Sequence, residues 1–288
     1  MKENRASETA EAGLAMRALE SARPPRSRLF ADDNARTLLR RHHQLLIRLC
    51  ALPPVQRAVE WLCDRAYPGA PADFICRTRF IDDAIEQAIA QGARRIVIVG
   101  AGYDTRSFRL ARRPELQVIE IDHPDTQAMK LARARRGIAA GLMARVQFVA
   151  HDLSAETHPQ LPPGAAPTVF ILEGLTGYLT GPAIDALFAW MRDASVPGST
   201  VIFTYPDRRF LDGQCTGKAA ETLRRYLDKV GEPFRFGWYP EELDRYCAER
   251  GFTLLENHNY PDLTQRYFAP LGRTLDVYPF GHIAIARR

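Results

Sequence analysis

The most constraining feature of the chain is the run Arg95-Ile96-Val97-Ile98-Val99, which is β-branched and unbroken by polar alternation and stops at Gly100-Ala101-Gly102. A strand with one wet face alternates apolar and polar residues. A strand without alternation is covered on both faces, as in parallel sheets flanked by helices. Thr168–Glu173 is another such buried strand, and Gln117–Asp122, Val146–Val149 and Thr200–Tyr205 also read as strands. Helical stretches lie between them. Ile81, Ala84, Ile85, Ala88 and Ile89 fall on one helical face before the first strand, and Gly92 closes that helix. Pro124 to about Ala139 and Pro182 to Ala194 predict two more, each with proline in its first turn. Thr253–Glu256 and His282–Ala286 supply two further candidate strands. Strands alternating with helices predict a doubly wound α/β sheet.

Two segments break this rhythm. Residues 1–75, punctuated by Pro24-Pro25, Pro53-Pro54 and Pro68 to Pro71, predict a helical N-terminal extension or lid. The remaining 76–288 form the sheet domain, with a helical insertion expected at about 207–237. Specificity is expected in these two segments, because variable pieces on a rigid scaffold carry recognition.

Composition narrows the chemistry. With 46% hydrophobic and 25% charged residues over 288 positions, the chain can build a large core without staples. The net charge of +5 is spread out, and the densest basic run, Lys130 to Arg136, reads as a solvated helix face. No nucleic-acid partner is therefore expected. Five cysteines, none in C-x-x-C spacing, predict no zinc site and a reduced, cytoplasmic protein. No metal site is expected. MKENRASETAEAG carries no apolar run, so no secretory signal is expected, and no apolar stretch approaches the ~18 residues of a membrane span, so no membrane partner is expected either.

Ligands of open α/β sheets bind beyond the carboxyl ends of the strands. Four motifs fall there. Gly100-Ala101-Gly102-Tyr103-Asp104 follows the first strand, where small residues allow close backbone approach. A dinucleotide fingerprint would place glycine at 105, where Thr105 stands. A nucleoside without a pyrophosphate fits better. Asp122 ends the second strand and can accept from both ribose hydroxyls, or can serve as a helix N-terminal acid. Asp152-Leu153 follows the third strand: the acid can accept from an adenine amine, or cap the next turn, and the leucine can cover the ring. Glu173 closes the fourth apolar strand, where a carboxylate needs a cation. S-adenosyl-L-methionine brings an ammonium and a sulfonium.

Together these residues resemble the leucine carboxyl methyltransferase family, in its bacterial branch of S-adenosylmethionine-dependent O-methyltransferases of the tetracenomycin polyketide type. The resemblance rests on Arg77-Thr78-Arg79-Phe80-Ile81-Asp82-Asp83, Val99 to Arg106, Glu120-Ile121-Asp122-His123-Pro124, Asp152-Leu153 and Glu173-Gly174-Leu175, with Phe30-Ala31-Asp32-Asp33 and Gly231 to Gly237. It implies a class I methyltransferase (Rossmann-like) fold with seven strands, the last antiparallel. It also implies S-adenosyl-L-methionine as cofactor, with Gly100 and Gly102 facing it, Asp122 at the ribose, Asp152 and Leu153 at the adenine and Glu173 at the amino-acid end. Arg77 would hold the methionyl or the substrate carboxylate; its alternative is to brace the N-terminal segment through Asp82 or Asp83. Arg77, Tyr178 and Tyr205 are the positioning candidates. No general base is visible, which favours a carboxylate or acidic hydroxyl of a small secondary metabolite as acceptor. The rivals are a nicotinamide-dependent oxidoreductase and a non-catalytic cofactor-binding module.

Overall fold

The computed structural model describes residues 8–155, 157–162 and 164–288; residues 1–7 of the expected extension lie outside the described residues. The chain opens with helices α1 (Glu8–Ser21), α2 (Asp33–Leu38), α3 (Arg41–Leu49), α4 (Pro53–Ala66) and α5 (Ala70–Ala90). Then follow β1 (Arg95–Val99), α6 (Arg106–Leu110), β2 (Gln117–Asp122), α7 (Pro124–Ala134), α8 (Ala140–Met143), β3 (Val146–Ala150), β4 (Thr168–Leu172), α9 (Gly181–Asp193) and β5 (Thr200–Pro206). The last part is α10 (Arg208–Leu211), α11 (Lys218–Val230), α12 (Leu243–Glu249), β6 (Thr253–Asn259), α13 (Tyr260–Tyr267) and β7 (Gly281–Arg287).

The seven strands form one sheet in the order β3-β2-β1-β4-β5-β7-β6. All neighbours are parallel except across β7, which is antiparallel to both β5 and β6. Period-two side-chain alternation explains the layers. Ile96, Ile98, Val118, Val169 and Ile171 point to the face covered by α5 and α13, while Val97, Val99, Ile119, Phe170 and Leu172 point to the face covered by α9 and α12. The chain winds from β1 outward to β3, then returns to place β4 on the other side of β1. That reversal opens a crevice beyond β1 and β4.

Three local expectations change. The helix before β1 starts at Ala70 rather than near Phe80, because Pro71 lies in its first turn, where a missing N–H costs nothing. A division at residues 75 and 76 therefore cuts through α5. The helix from Pro124 ends at Ala134, where Ala139 to Met143 starts a separate short turn. The basic run at 130–136 is not simply solvated: Lys130 is buried and paired with Glu120 at 2.6 Å, and Arg133 lies over the Tyr103 ring at 4.5 Å.

Candidate functional site

A cavity of about 910 Å³ lies beyond the ends of β1, β2 and β4, roofed by α1, α4, α5, α11 and the loop 231–235. Its volume lies near the top of the ~300–1,000 Å³ range of small-molecule sites. Arg77, Gly100, Gly102, Asp122, Asp152, Leu153, Glu173, Tyr178 and Tyr205 all line it.

The glycine turn sets the floor. Gly100 has φ +68°, and a Cβ there would come 2.9 Å from Leu175 Cδ1. Gly102 has φ +50°, and its amide donates to Asp122 Oδ2 at 2.6 Å. The amide of His123 donates to Asp122 Oδ1 at 2.7 Å. Each oxygen keeps a lone pair for a hydroxyl. Burial pushes the Asp122 carboxyl up, and the two amides oppose that shift.

Asp152 stands exposed at the rim. Its Oδ1 accepts from the Ser154 amide at 2.9 Å and hydroxyl at 2.7 Å, which lower its carboxyl. It therefore caps a turn and still borders the cavity. Leu153 is buried beside it and packs into the core.

Glu173 follows β4 and sits among guanidinium groups. Arg77 Nε donates to its Oε1 at 2.9 Å, Arg106 Nη1 donates to its Oε2, and Arg17 Nη1 lies 3.8 Å away. Burial opposes ionisation, but Arg106, Arg77 and Arg17 hold the carboxyl down at about 2. Arg77 does not brace Asp82 or Asp83; its second acid is Asp73, one turn earlier on α5, at 3.5 Å. Arg106 is 2% exposed and joins Asp82, Asp104 and Glu173. Arg17 reaches from α1 to the Tyr103 carbonyl at 3.1 Å.

Sequence reasoning missed Asp73. It lines the cavity, hydrogen-bonds Tyr260 and faces Arg77, Glu173 and Tyr278. Burial, only partly offset by Arg77, pushes its carboxyl up to about 6. The available signal was its i,i+4 spacing from Arg77, hidden once the helix was started ten residues late. Tyr178 hydrogen-bonds Thr9 of α1, and its ring meets Phe234 edge-on at 5.2 Å. Burial pushes its hydroxyl up to about 12. The Tyr205 hydroxyl donates to Asn257 at 2.8 Å and its ring stacks on His282, so Tyr205 contributes wall rather than a free hydroxyl.

Arg17, Arg77, Arg106 and Arg109 face Asp32, Asp73, Asp82, Asp104 and Glu173, so four cations meet five carboxylates in this cluster. A ligand with one net positive charge would balance it. S-adenosyl-L-methionine, with a sulfonium, an ammonium and a carboxylate, has that charge, and the glycine turn and Asp122 suit its nucleoside. The residues present fit the group. Among the described residues no cluster of three or more His, Cys, Asp or Glu could hold a metal ion.

Residues 10–192 match the leucine carboxyl methyltransferase family. The chain belongs to that family. Within it, a Mycobacteroides abscessus relative is 40% identical over 204 residues, covering 68% of this chain and 67% of the relative. A Mycobacterium avium relative is 31% identical over 233 residues, covering 75% and 74%. For a Streptomyces coelicolor relative the figures are 34% over 174 residues, 57% and 61%. All three are inferred S-adenosyl-L-methionine-dependent methyltransferases. The crystal structure of an inferred methyltransferase from Thermobifida fusca shares the fold, with a TM-score of 0.56 and 19% identity over 81% of this chain and 88% of the other. This member of the leucine carboxyl methyltransferase family thus has the class I methyltransferase fold and S-adenosyl-L-methionine as its cofactor. The nicotinamide alternative falls with that assignment; Thr105, at the position of a third glycine, bonds Asp32 instead.

Proposed function

We propose that the chain is an S-adenosyl-L-methionine-dependent O-methyltransferase whose acceptor is a small, polyketide-like molecule with an acidic hydroxyl. The observation that carries this reading is the composition of the cavity roof. Phe74, Tyr178, Tyr226, Phe234, Tyr278 and Phe280 supply aromatic wall, and Asp73 and Arg77 supply the charged groups. Aromatic walls favour a flat, apolar acceptor. Arg77 is already countered by Asp73 and Glu173, which weakens it as a receptor for an acceptor carboxylate. A carboxylate acceptor is the second reading, favoured by the guanidinium itself.

When bound, the cofactor supplies a methyl carbon activated by its sulfonium. Gly100, Gly102 and Asp122 would hold its nucleoside, Asp152 and Leu153 its adenine, and Glu173 and Arg77 its amino-acid end. The aromatic roof orients the acceptor and excludes water, and holding two reactants in line can supply ~7–11 kcal/mol of the barrier. Asp73 Oδ takes the hydroxyl proton; with its carboxyl near 6 it is ionised at neutral pH yet basic enough to act. A carboxylate acceptor would need no such base.

Methyl-labelled cofactor offered with a panel of phenols, enols and aromatic acids tests this reading. Label in an alkali-stable ether supports the hydroxyl acceptor. Label released by alkali as from an ester moves the reading to the carboxylate. Label in no small molecule overturns it in favour of a non-catalytic module or a macromolecular acceptor.

A further inference from the structure

Among the described residues, eight large hydrophobic side chains are exposed, and seven lie within residues 45–67: Leu45, Leu46, Leu49, Leu52, Trp61, Leu62 and Tyr67. They lie on α3 and α4 and on the residues Leu52 and Tyr67 that flank α4. Trp61 is 62% and Leu45 59% exposed. Isolated surface leucines are ordinary, but a concentrated apolar patch marks a docking face.

Within residues 40–67 the exposed charges are of one sign, although exposed Asp33 of α2 lines a small hollow with Arg48 and Arg40 pairs with Glu11. Arg40, Arg41, Arg48, Arg57 and Arg65 are exposed over residues 40–67, and no acid of that span is. Its two acids are turned inward, Glu60 onto Arg23 and Asp64 onto the Gly69 amide. The helix α3, RHHQLLIRL, puts Ile47 inward and leucines outward between arginines. The face also joins the cavity, since Tyr67 is both exposed and part of the cavity wall.

We propose that the α3–α4 segment docks on an anionic lipid surface. Leucines and a tryptophan that sink to the headgroup boundary, ringed by arginines that meet phosphate, are the chemistry of an interfacial anchor. A second copy of the chain fits poorly, because a two-fold contact would set this arginine-rich face against itself. The proposal differs from the expectation of no membrane partner, which rested on the lack of a spanning segment. Among the described residues no helix is long and apolar enough to cross a membrane, and none is needed to lie on one.

Co-sedimentation of the full chain with phosphatidylcholine vesicles, with and without phosphatidylglycerol, tests it. The expected result is binding that requires phosphatidylglycerol and weakens as salt rises. Leu49→Gln with Trp61→Ser should cut partitioning at least about tenfold, and Arg48→Gln with Arg57→Gln should weaken it and flatten the salt dependence. Unfolding temperature checks that each variant is folded. No binding to anionic vesicles, equal binding to neutral ones, or binding indifferent to both variant pairs would overturn the proposal. Sedimentation equilibrium showing a dimer that Leu49→Gln with Trp61→Ser abolishes, in the absence of vesicle binding, would assign the face to a second copy instead. None of these readouts depends on methyl transfer.

Discussion

Arg77 Nε donates to Glu173 Oε1 at 2.9 Å, joining a helix and a strand end that lie 96 residues apart. The strand-end acid is therefore not waiting for a ligand cation alone. It belongs to a cluster with one more carboxylate than arginine, and the proposal is that a singly positive cofactor answers the excess charge. Glu173→Gln removes that excess. Its affinity for S-adenosyl-L-methionine should fall about tenfold, ~1.4 kcal/mol, and more than its affinity for S-adenosylhomocysteine, which lacks the sulfonium charge. Calorimetric titration with both ligands checks this, and equal losses would remove the charge argument.

Arg106 is the most buried cation of the cluster and serves three carboxylates. Arg106→Met leaves Asp82, Asp104 and Glu173 with fewer partners in a dry site. Breaking a buried pair by removing one partner costs ~3–5 kcal/mol. Urea unfolding should show a loss of that order, and a change under 1 kcal/mol would mean that water reaches these acids.

Asp73 gives a pH-dependent prediction. Its folded carboxyl is raised to about 6 from 3.8, so the neutral acid is the better-tolerated form in the folded chain. The stability tied to that proton is complete below pH 3.8 and is lost as pH rises through about 6. Asp73→Asn keeps the neutral shape at every pH. The variant should gain on wild type progressively between pH 4 and 6.5, by up to about 3 kcal/mol at pH 8. If Asp73 is the base, the same variant loses turnover at saturating cofactor by ~10²–10⁴-fold, well beyond the about tenfold loss of cofactor affinity that removing one carboxylate of the cluster brings. Unfolding curves at several pH values, with rates on a hydroxyl acceptor, check both halves. Gain without loss of turnover would leave Asp73 as a strained residue only.

The sheet was readable because burial writes itself into composition. Ile96 to Val99 and Val169 to Leu172 are apolar at every position, as strands covered on both faces must be. The acids at 122, 152 and 173 were readable because each stands at or just past the carboxyl end of a strand. Pairings across the chain were not. Nothing local to Arg17 shows that it meets the loop after β1, and Arg106 reads equally as a surface or an Asp-paired residue of a short helix, with nothing to show that three acids converge on it. Asp73 was lost to a helix boundary. Tyr205 was a positioning candidate from sequence, yet its hydroxyl partner Asn257 lies on β6, brought near only because β7 sits between β5 and β6.

Asp122 accepts from the amides of Gly102 and His123, and it is the acid proposed to hold the ribose of the cofactor. The most direct measurement is the calorimetric dissociation constant of S-adenosyl-L-methionine for wild type and Asp122→Ala, taken below both unfolding temperatures. The account predicts one equivalent bound by wild type and at least about tenfold weaker binding by the variant, ~1.4 kcal/mol or more. Equal dissociation constants, or no binding by wild type, would contradict it.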